Sequence, residues 1–162
     1  MENGKIRLPL IKGVELFPLT VVPVAAGDVM RLLRPESPAL PKFPAGIGEI
    51  YFSEILPGKV KAWKMHAKQT QRLAAPFGKI RIALYDMRAD SSTLRVLDVL
   101  ELGRPGDYNM LIIPPGIWFG FRCASETPAL LCNCPDMAHD PDECQRAPQD
   151  TPDIPYIWDS EK

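Results

Sequence analysis

The sequence predicts an all-β protein, a sandwich or barrel of short antiparallel strands, and three observations carry that expectation. About eight or nine short apolar stretches are separated by turn signals, at roughly the 8–12-residue spacing of such folds. Proline accounts for 18 of the 162 residues, about twice its usual ~5% share, and is spread along the chain rather than gathered in one tract. No segment sustains a helical period, apart from a turn or two near Pro141 to Arg146.

Taken in order, Met1 to Leu10 reads as a tail, and Val14 to Val24 as one or two extended pieces cut by Pro18 and Pro23. Asp28 to Leu33 is a short strand, with Val29, Leu32 and Leu33 as its apolar content. Arg34 to Pro44 carries four prolines and is a loop. Glu49 to Leu56 is a strand, Leu56-Pro57-Gly58-Lys59 a turn, and Val60 to Met65 the next strand. A second turn lies near Pro76-Phe77-Gly78. Lys79 to Tyr85 alternates: Ile80, Ile82 and Leu84 face one side, Lys79, Arg81 and Tyr85 the other. Asp86 to Thr93 is turn-rich, and Leu94 to Leu102 is a strand in which Val96 beside Leu97 leaves the facing open. Turns at Arg104-Pro105-Gly106-Asp107, Pro114-Pro115-Gly116 and Ser125 to Pro128 frame strands at Met110 to Ile113, Trp118 to Arg122 and Ala129 to Cys134.

A chain of this length is most simply one domain, 1–162, with 1–12 as an N-terminal tail and 135–162 as an extension packing on the barrel. It can bury roughly two thirds of its unfolded surface without staples. A formal net charge of −1 and a pI near 6.1 supply no broad basic field, which excludes nucleic acid as the expected partner. No apolar run approaches the ~20 residues of a membrane span, and nothing frames the Leu16 to Ala26 stretch as a signal peptide. The expectation is a cytoplasmic protein, not a membrane one, with its four cysteines reduced.

Four groups of residues invite a chemical reading. Cys132, Cys134, His139 and Cys144 form C-x-C-x4-H-x4-C, one residue short of a zinc knuckle, so buried or idle thiols are the simpler reading. A metal-dependent jelly roll needs two or three histidines with a carboxylate; the whole chain has two, and its strand carries Lys64 and His66 where such a site would carry a histidine pair. No metal or cofactor is therefore expected. Proton transfer by His66 as a general base near neutral pH needs a cation or donor for the enolate, for which Lys61, Lys64, Arg72 and Lys79 are available. Tyr51, Phe52, Trp63, Trp118, Phe119 and Phe121 either line a site that stacks on a base or sugar ring or belong to the core.

Val60-Lys61-Ala62-Trp63 leading to His66-Ala67-Lys68-Gln69-Thr70, then Gly78-Lys79-Ile80 to Tyr85-Asp86-Met87-Arg88, then Ile113 to Phe121, then Ile154-Pro155-Tyr156-Ile157-Trp158 stand in consistent order. In this the chain resembles the dTDP-4-dehydrorhamnose 3,5-epimerase family of cupins, nearest its short branch with a W-x-x-H-x-x-Q-T pattern. The resemblance runs from about Gly27 to Trp158. It implies a cupin jelly-roll barrel, a homodimer, and metal-free epimerisation or isomerisation of a nucleotide-diphosphate 4-keto-6-deoxy sugar. A histidine takes the proton beside the ketone, a lysine or arginine shields the enolate, and a tyrosine on the opposite face returns a proton.

His66 matches the catalytic histidine of the resemblance, and Cys132 falls where the family has its tyrosine. A thiol can donate a proton, its ordinary pKa of about 8.5 lying below tyrosine's ~10. Phe119 stands for a family histidine, Trp63 for a substrate-binding arginine, and Gln71 or Arg72 near a family lysine. Ala26 and Arg31 replace the arginine and glutamate of an early R-G-x-F-x-E motif. The family aspartate that supports the histidine lies in a segment beyond Lys162, which leaves His66 without its orienting partner. The expected site is catalytic His66 and Cys132, with Tyr51, Trp63, Lys64, Gln69, Arg72, Trp118 and Phe119 binding substrate. The alternative reading is a cupin that binds a sugar nucleotide or small ligand without this chemistry.

Overall fold

Alternation along the strands builds two facing sheets. The computed structural model describes residues 7–37 and 46–158; the first part of the expected tail and the proline loop from 38 onward lie outside the described residues. The strands are β1 (Glu15–Pro18), β2 (Val21–Val22), β3 (Val29–Met30), β4 (Tyr51–Ile55), β5 (Val60–His66), β6 (Gln71–Phe77), β7 (Lys79–Asp86), β8 (Leu97–Gly103), β9 (Asn109–Ile113), β10 (Ile117–Cys123), β11 (Ala129–Asn133) and β12 (Cys144–Arg146). One sheet runs β1-β9-β6-β11-β4, the facing sheet β12-β5-β10-β7-β8, and β2 pairs with β3 in a small ribbon. Every paired strand is antiparallel, and the whole is the expected all-β cupin jelly roll.

The core between the sheets is where alternation aims it. Ile80, Ile82 and Leu84 point inward from β7 and pack with Ile55, Leu73, Leu111, Ile113, Phe119 and Leu131. From β8 the inward residues are Leu100 and Leu102, while Leu97 and Val99 face outward, which resolves the facing left open above. The outer face of the second sheet is covered by the C-terminal segment, where Ile154 and Trp158 pack on Trp63, Ala83 and Tyr85. The outer face of the first sheet is covered in part by the β2–β3 region, with Leu19, Leu32 and Leu33 against Ala74, Met110 and Ile112.

Three local expectations are corrected. Gln71–Phe77, read only as the approach to a turn, is a strand between β9 and β11. Pro76 fits because the register with β11 slips between Ala74 and Phe77, where the missing N–H breaks no ladder bond. The turn itself is the single residue Gly78 (φ +69°), and a Cβ there would lie 2.8 Å from Ala129 Cα. Pro141–Glu143 is one 3-10 turn, capped by Asp140, and the residues after it form β12 instead of more helix. The described end of the N-terminal tail is tied down: Arg7 Nη2 (2.5 Å) and the Leu10 amide (2.7 Å) both donate to the buried Asp98 carboxylate.

Candidate active site

His66 ends β5, and its carbonyl accepts the Gly116 amide at 2.8 Å, so the Pro114-Pro115-Gly116 turn clamps the strand end. Its ring lies between the sheets, stacked on Phe119 with centroids 6.0 Å apart and planes 29° off parallel. Nδ1 pairs with Glu143 Oε1, the last residue of the 3-10 turn. Glu143 Oε2 accepts the backbone amides of Lys68 and Gln69, each at 3.2 Å. Nε2 is buried and has no hydrogen-bond partner among the described residues.

This arrangement fixes the tautomer. An ionised carboxylate only accepts, so Nδ1 carries the proton and donates it to Glu143, leaving the lone pair on Nε2. Burial lowers the His66 pKa; the hydrogen bond and charge of Glu143 oppose that without cancelling it. Burial alone would raise the Glu143 carboxyl, but the bonds from His66, Lys68 and Gln69 together hold it below the ordinary range. The result at neutral pH is a neutral imidazole oriented by an anion, the protonation state a general base requires.

Cations gather beside it. Lys64, two residues back on β5, lies 5.0 Å over the Phe119 ring, and its pKa is pulled down, first by burial and then by Arg146 and Lys61. Arg146 is registered opposite Lys64 on β12. Lys61 Nζ reaches across to Ser53 Oγ on β4 at 2.8 Å. Ser53, Lys61, Lys64, Phe121 and Arg146 line a hollow of about 400 Å³ open to solvent. A larger hollow of about 660 Å³ lies elsewhere, by Arg7, Arg104 and Tyr108, with the carboxylates of Glu101 and Asp107 in its wall and no histidine.

The opposite wall is β4 and β11. Tyr51, Ser53 and Ile55 point inward, Phe52 and Glu54 outward. Asn133, opposite Tyr51 in the register, donates to Tyr51 Oη at 2.6 Å and to Gln71 Oε1. Gln71 in turn donates to Gln69 Oε1, and Gln69 Nε2 to the Met137 carbonyl at 2.8 Å.

Of the residues expected at the site, the structure gathers His66, Lys64, Phe119, Tyr51 and Gln69 at one end of the barrel. It does not bring Cys132, Trp63, Arg72 or Trp118 there. Cys132 points out of the first sheet and is buried with Cys134 beneath Leu32 and Leu33, the sulfurs 3.9 Å apart. Trp63 turns its ring to the outer face of the second sheet against Trp158 and Tyr156, so only its flank borders the hollow. Trp118 belongs to the same outer cluster. Arg72 is fully buried on the outer side of β6, 4.0 Å from Asp136. Cys144 lies on β12 in the other sheet from Cys132 and Cys134, so the C-x-C-x4-H-x4-C run does not converge. The expectation that His66 lacks an orienting partner is overturned by Glu143. Sequence reasoning also passed over Asn133 and Arg146, and named Gln71 only as standing near a family lysine. The capped Asp140-Pro141 start of Glu143's turn was legible; its pairing with a residue 77 positions away was not.

No family model matches the sequence. The chain is 31% identical over 154 residues to the spore coat polysaccharide biosynthesis protein SpsL of Bacillus subtilis, covering 94% of this chain and 99% of that protein. It is 35% identical over 115 residues to the probable low-salt glycan biosynthesis epimerase Agl13 of Haloferax volcanii, covering 68% of this chain and 72% of that one. The crystal structure of a dTDP sugar isomerase from Desulfovibrio desulfuricans superposes with a TM-score of 0.90 at 44% identity, covering 96% of this chain and 97% of that one. The fold is shared with the dTDP-4-dehydrorhamnose 3,5-epimerase of Elizabethkingia anophelis, at a TM-score of 0.76 and 16% identity over 93% of this chain and 83% of that one. With SpsL matched over nearly its whole length on a common fold, the chain belongs to the dTDP-4-dehydrorhamnose 3,5-epimerase family.

Proposed function

We propose that the protein is an epimerase or isomerase of a nucleotide-diphosphate 4-keto-6-deoxy sugar, working by abstraction and return of a proton. The observation that carries this is the His66–Glu143 pair with Nε2 bare between the sheets. Nε2 takes the proton from the carbon beside the ketone, and the C–H electron pair moves onto the carbonyl oxygen as an enolate. The imidazolium formed is stabilised by Glu143. Lys64 supplies the donor for the enolate oxygen, and Phe119 keeps water from the ring, which strengthens both interactions. Lys61 and Arg146, the other two cations round the 400 Å³ hollow, fit the two negative charges of a diphosphate. The nucleotide class is supported by the dTDP sugar isomerase likeness, and the reaction class by that and by the epimerase Agl13.

Incubation with dTDP-4-keto-6-deoxyglucose in heavy water tests the proposal. The expected result is deuterium at a carbon next to the ketone, with His66→Asn slower by about 10²–10⁴-fold. A folded wild-type protein that incorporates none, or a His66→Asn variant equal to it, overturns the reading.

The protein works as a homodimer in the cytoplasm within this proposal. The four free thiols accord with a reducing compartment, and the exposed aromatics Phe52 and Phe77 on the first sheet accord with a second copy.

A further inference from the structure

We infer that Tyr51, on the sheet facing His66, is the acid that returns the proton, and that a one-way chain of amide side chains aims its hydroxyl hydrogen at the substrate. The inference rests on the reaction proposed above and goes beyond it by naming the second catalytic residue and what positions it.

The direction of the chain is fixed at one end by a group with no choice. The Met137 carbonyl can only accept, so Gln69 must turn its Nε2 toward it, at 2.8 Å. Gln69 then presents Oε1 to Gln71, which must donate through Nε2. Gln71 is left with Oε1 toward Asn133, which must donate in its turn. Both hydrogens of Asn133 Nδ2 are thereby assigned, one to Gln71 and one to Tyr51 Oη at 2.6 Å. Tyr51 can only accept that bond, so its own O–H points elsewhere. With Tyr51 directed inward from β4, elsewhere is the space between the sheets.

The same loop holds the base. The backbone amide of Gln69 donates to Glu143 Oε2, and Glu143 Oε1 holds His66 Nδ1. Acid and base are thus mounted on opposite sheets and tied through one residue. Burial raises the Tyr51 pKa above the ordinary phenol value although the Asn133 bond lowers it, so the phenol keeps its proton at neutral pH. Cys132, one residue before Asn133, faces the other way and is buried under Leu32 and Leu33. β11 thus contributes a positioning amide where a proton donor was expected, and the neighbouring strand supplies the donor.

The step balances. His66 Nε2 removes the proton from one face of the carbon and becomes imidazolium. Tyr51 delivers its phenolic proton to the opposite face, the enolate electrons form the new C–H bond, the C=O is restored, and Tyr51 is left as phenolate beside the Asn133 N–H. Once product has left, net transfer of one proton from imidazolium to phenolate restores both groups to their starting states.

The test separates the two half-steps. In heavy water with dTDP-4-keto-6-deoxyglucose, exchange into recovered substrate reports proton removal, and formation of the inverted sugar reports return to the far face. Tyr51→Phe is expected to keep exchange while product formation falls on the order of 10²-fold, raising the exchange-to-product ratio. Asn133→Leu is expected to raise that ratio less, as for a positioning residue. His66→Asn loses both signals. The inference is overturned if Tyr51→Phe forms product within twofold of wild type while His66→Asn is inactive, an outcome that leaves the proposed function standing. It is also overturned if Tyr51→Phe, folded by circular dichroism, loses exchange and product together, since Tyr51 then serves binding. Absence of exchange in the wild type removes both this inference and the function beneath it.

Discussion

A carboxylate that takes three hydrogen bonds in a buried site is an ionised one, and Glu143 takes one from His66 and two from the Lys68 and Gln69 amides. Its replacement by glutamine tests what it does for the base. The substituted amide would keep an acceptor for Nδ1–H only by turning its NH2 toward two amide donors. Glu143→Gln is therefore expected to lower kcat by about 10²-fold or more and to cost roughly 1–3 kcal/mol of stability, read by turnover and by denaturant midpoint. The pH profile carries a further expectation. The active base is neutral His66, so activity is lost as pH falls through its pKa. Burial lowers that pKa, so the acid limb of kcat/KM lies below the ordinary ~6.5. Glu143 raises the His66 pKa against that trend, so Glu143→Gln moves the limb lower still. A limb that moves upward in this variant would contradict the pairing.

At the scale of the element, β5 shows what was legible and what was not. Alternation alone puts Lys64 and His66 on one face and Trp63 on the other, as the structure has them. Family position placed Trp63 at the substrate, and there the strand period was the better guide. β11 had no such signal: Ala129, Leu130, Leu131 and Cys132 are all apolar, so nothing in the sequence says which faces inward. β6 was hidden because polar Gln71 and Arg72 and the proline at 76 break the apolar pattern of a strand, and the two polar side chains are buried against partners far along the chain, Asn133 and Asp136. The outer support of β5 can be tested directly. Trp158 lies 5.0 Å from Trp63, and Gly120 passes so close that a Cβ there would sit 2.8 Å from Trp158 Cζ2 and 2.4 Å from Ala62 Cβ. Trp158→Ala is expected to cost about 3–5 kcal/mol and lower Tm on the order of 10 °C, with kcat kept in the folded fraction. Thermal unfolding unchanged by the substitution would show that the C-terminal segment does not hold the sheet.

For the whole molecule, the two sheets are covered unequally. Among the described residues, the second sheet has the C-terminal segment over its outer face, and the first has the β2–β3 region over β9, β6 and the Cys132 end of β11. The remainder, from edge strand β4 across the start of β11 to the end of β6, shows Phe52 at 61% exposure and Phe77 at 62%, with Leu130 opposite Phe77 on one side and Glu54 on the other. Among the described residues β4 pairs with one neighbour, β11, and stands at the edge of its sheet. Exposed aromatics beside an edge strand are what a second copy would cover, and large aromatics carry much of the energy of such contacts. The expected outcome is a dimer for the wild-type chain in sedimentation equilibrium and a shift to monomer for Phe52→Glu with Phe77→Lys. Since Ser53 of the same strand lines the hollow, loss of the dimer is also expected to raise KM for the nucleotide sugar more than it lowers kcat. A wild type that sediments as a monomer at all concentrations would mean that this face has another role.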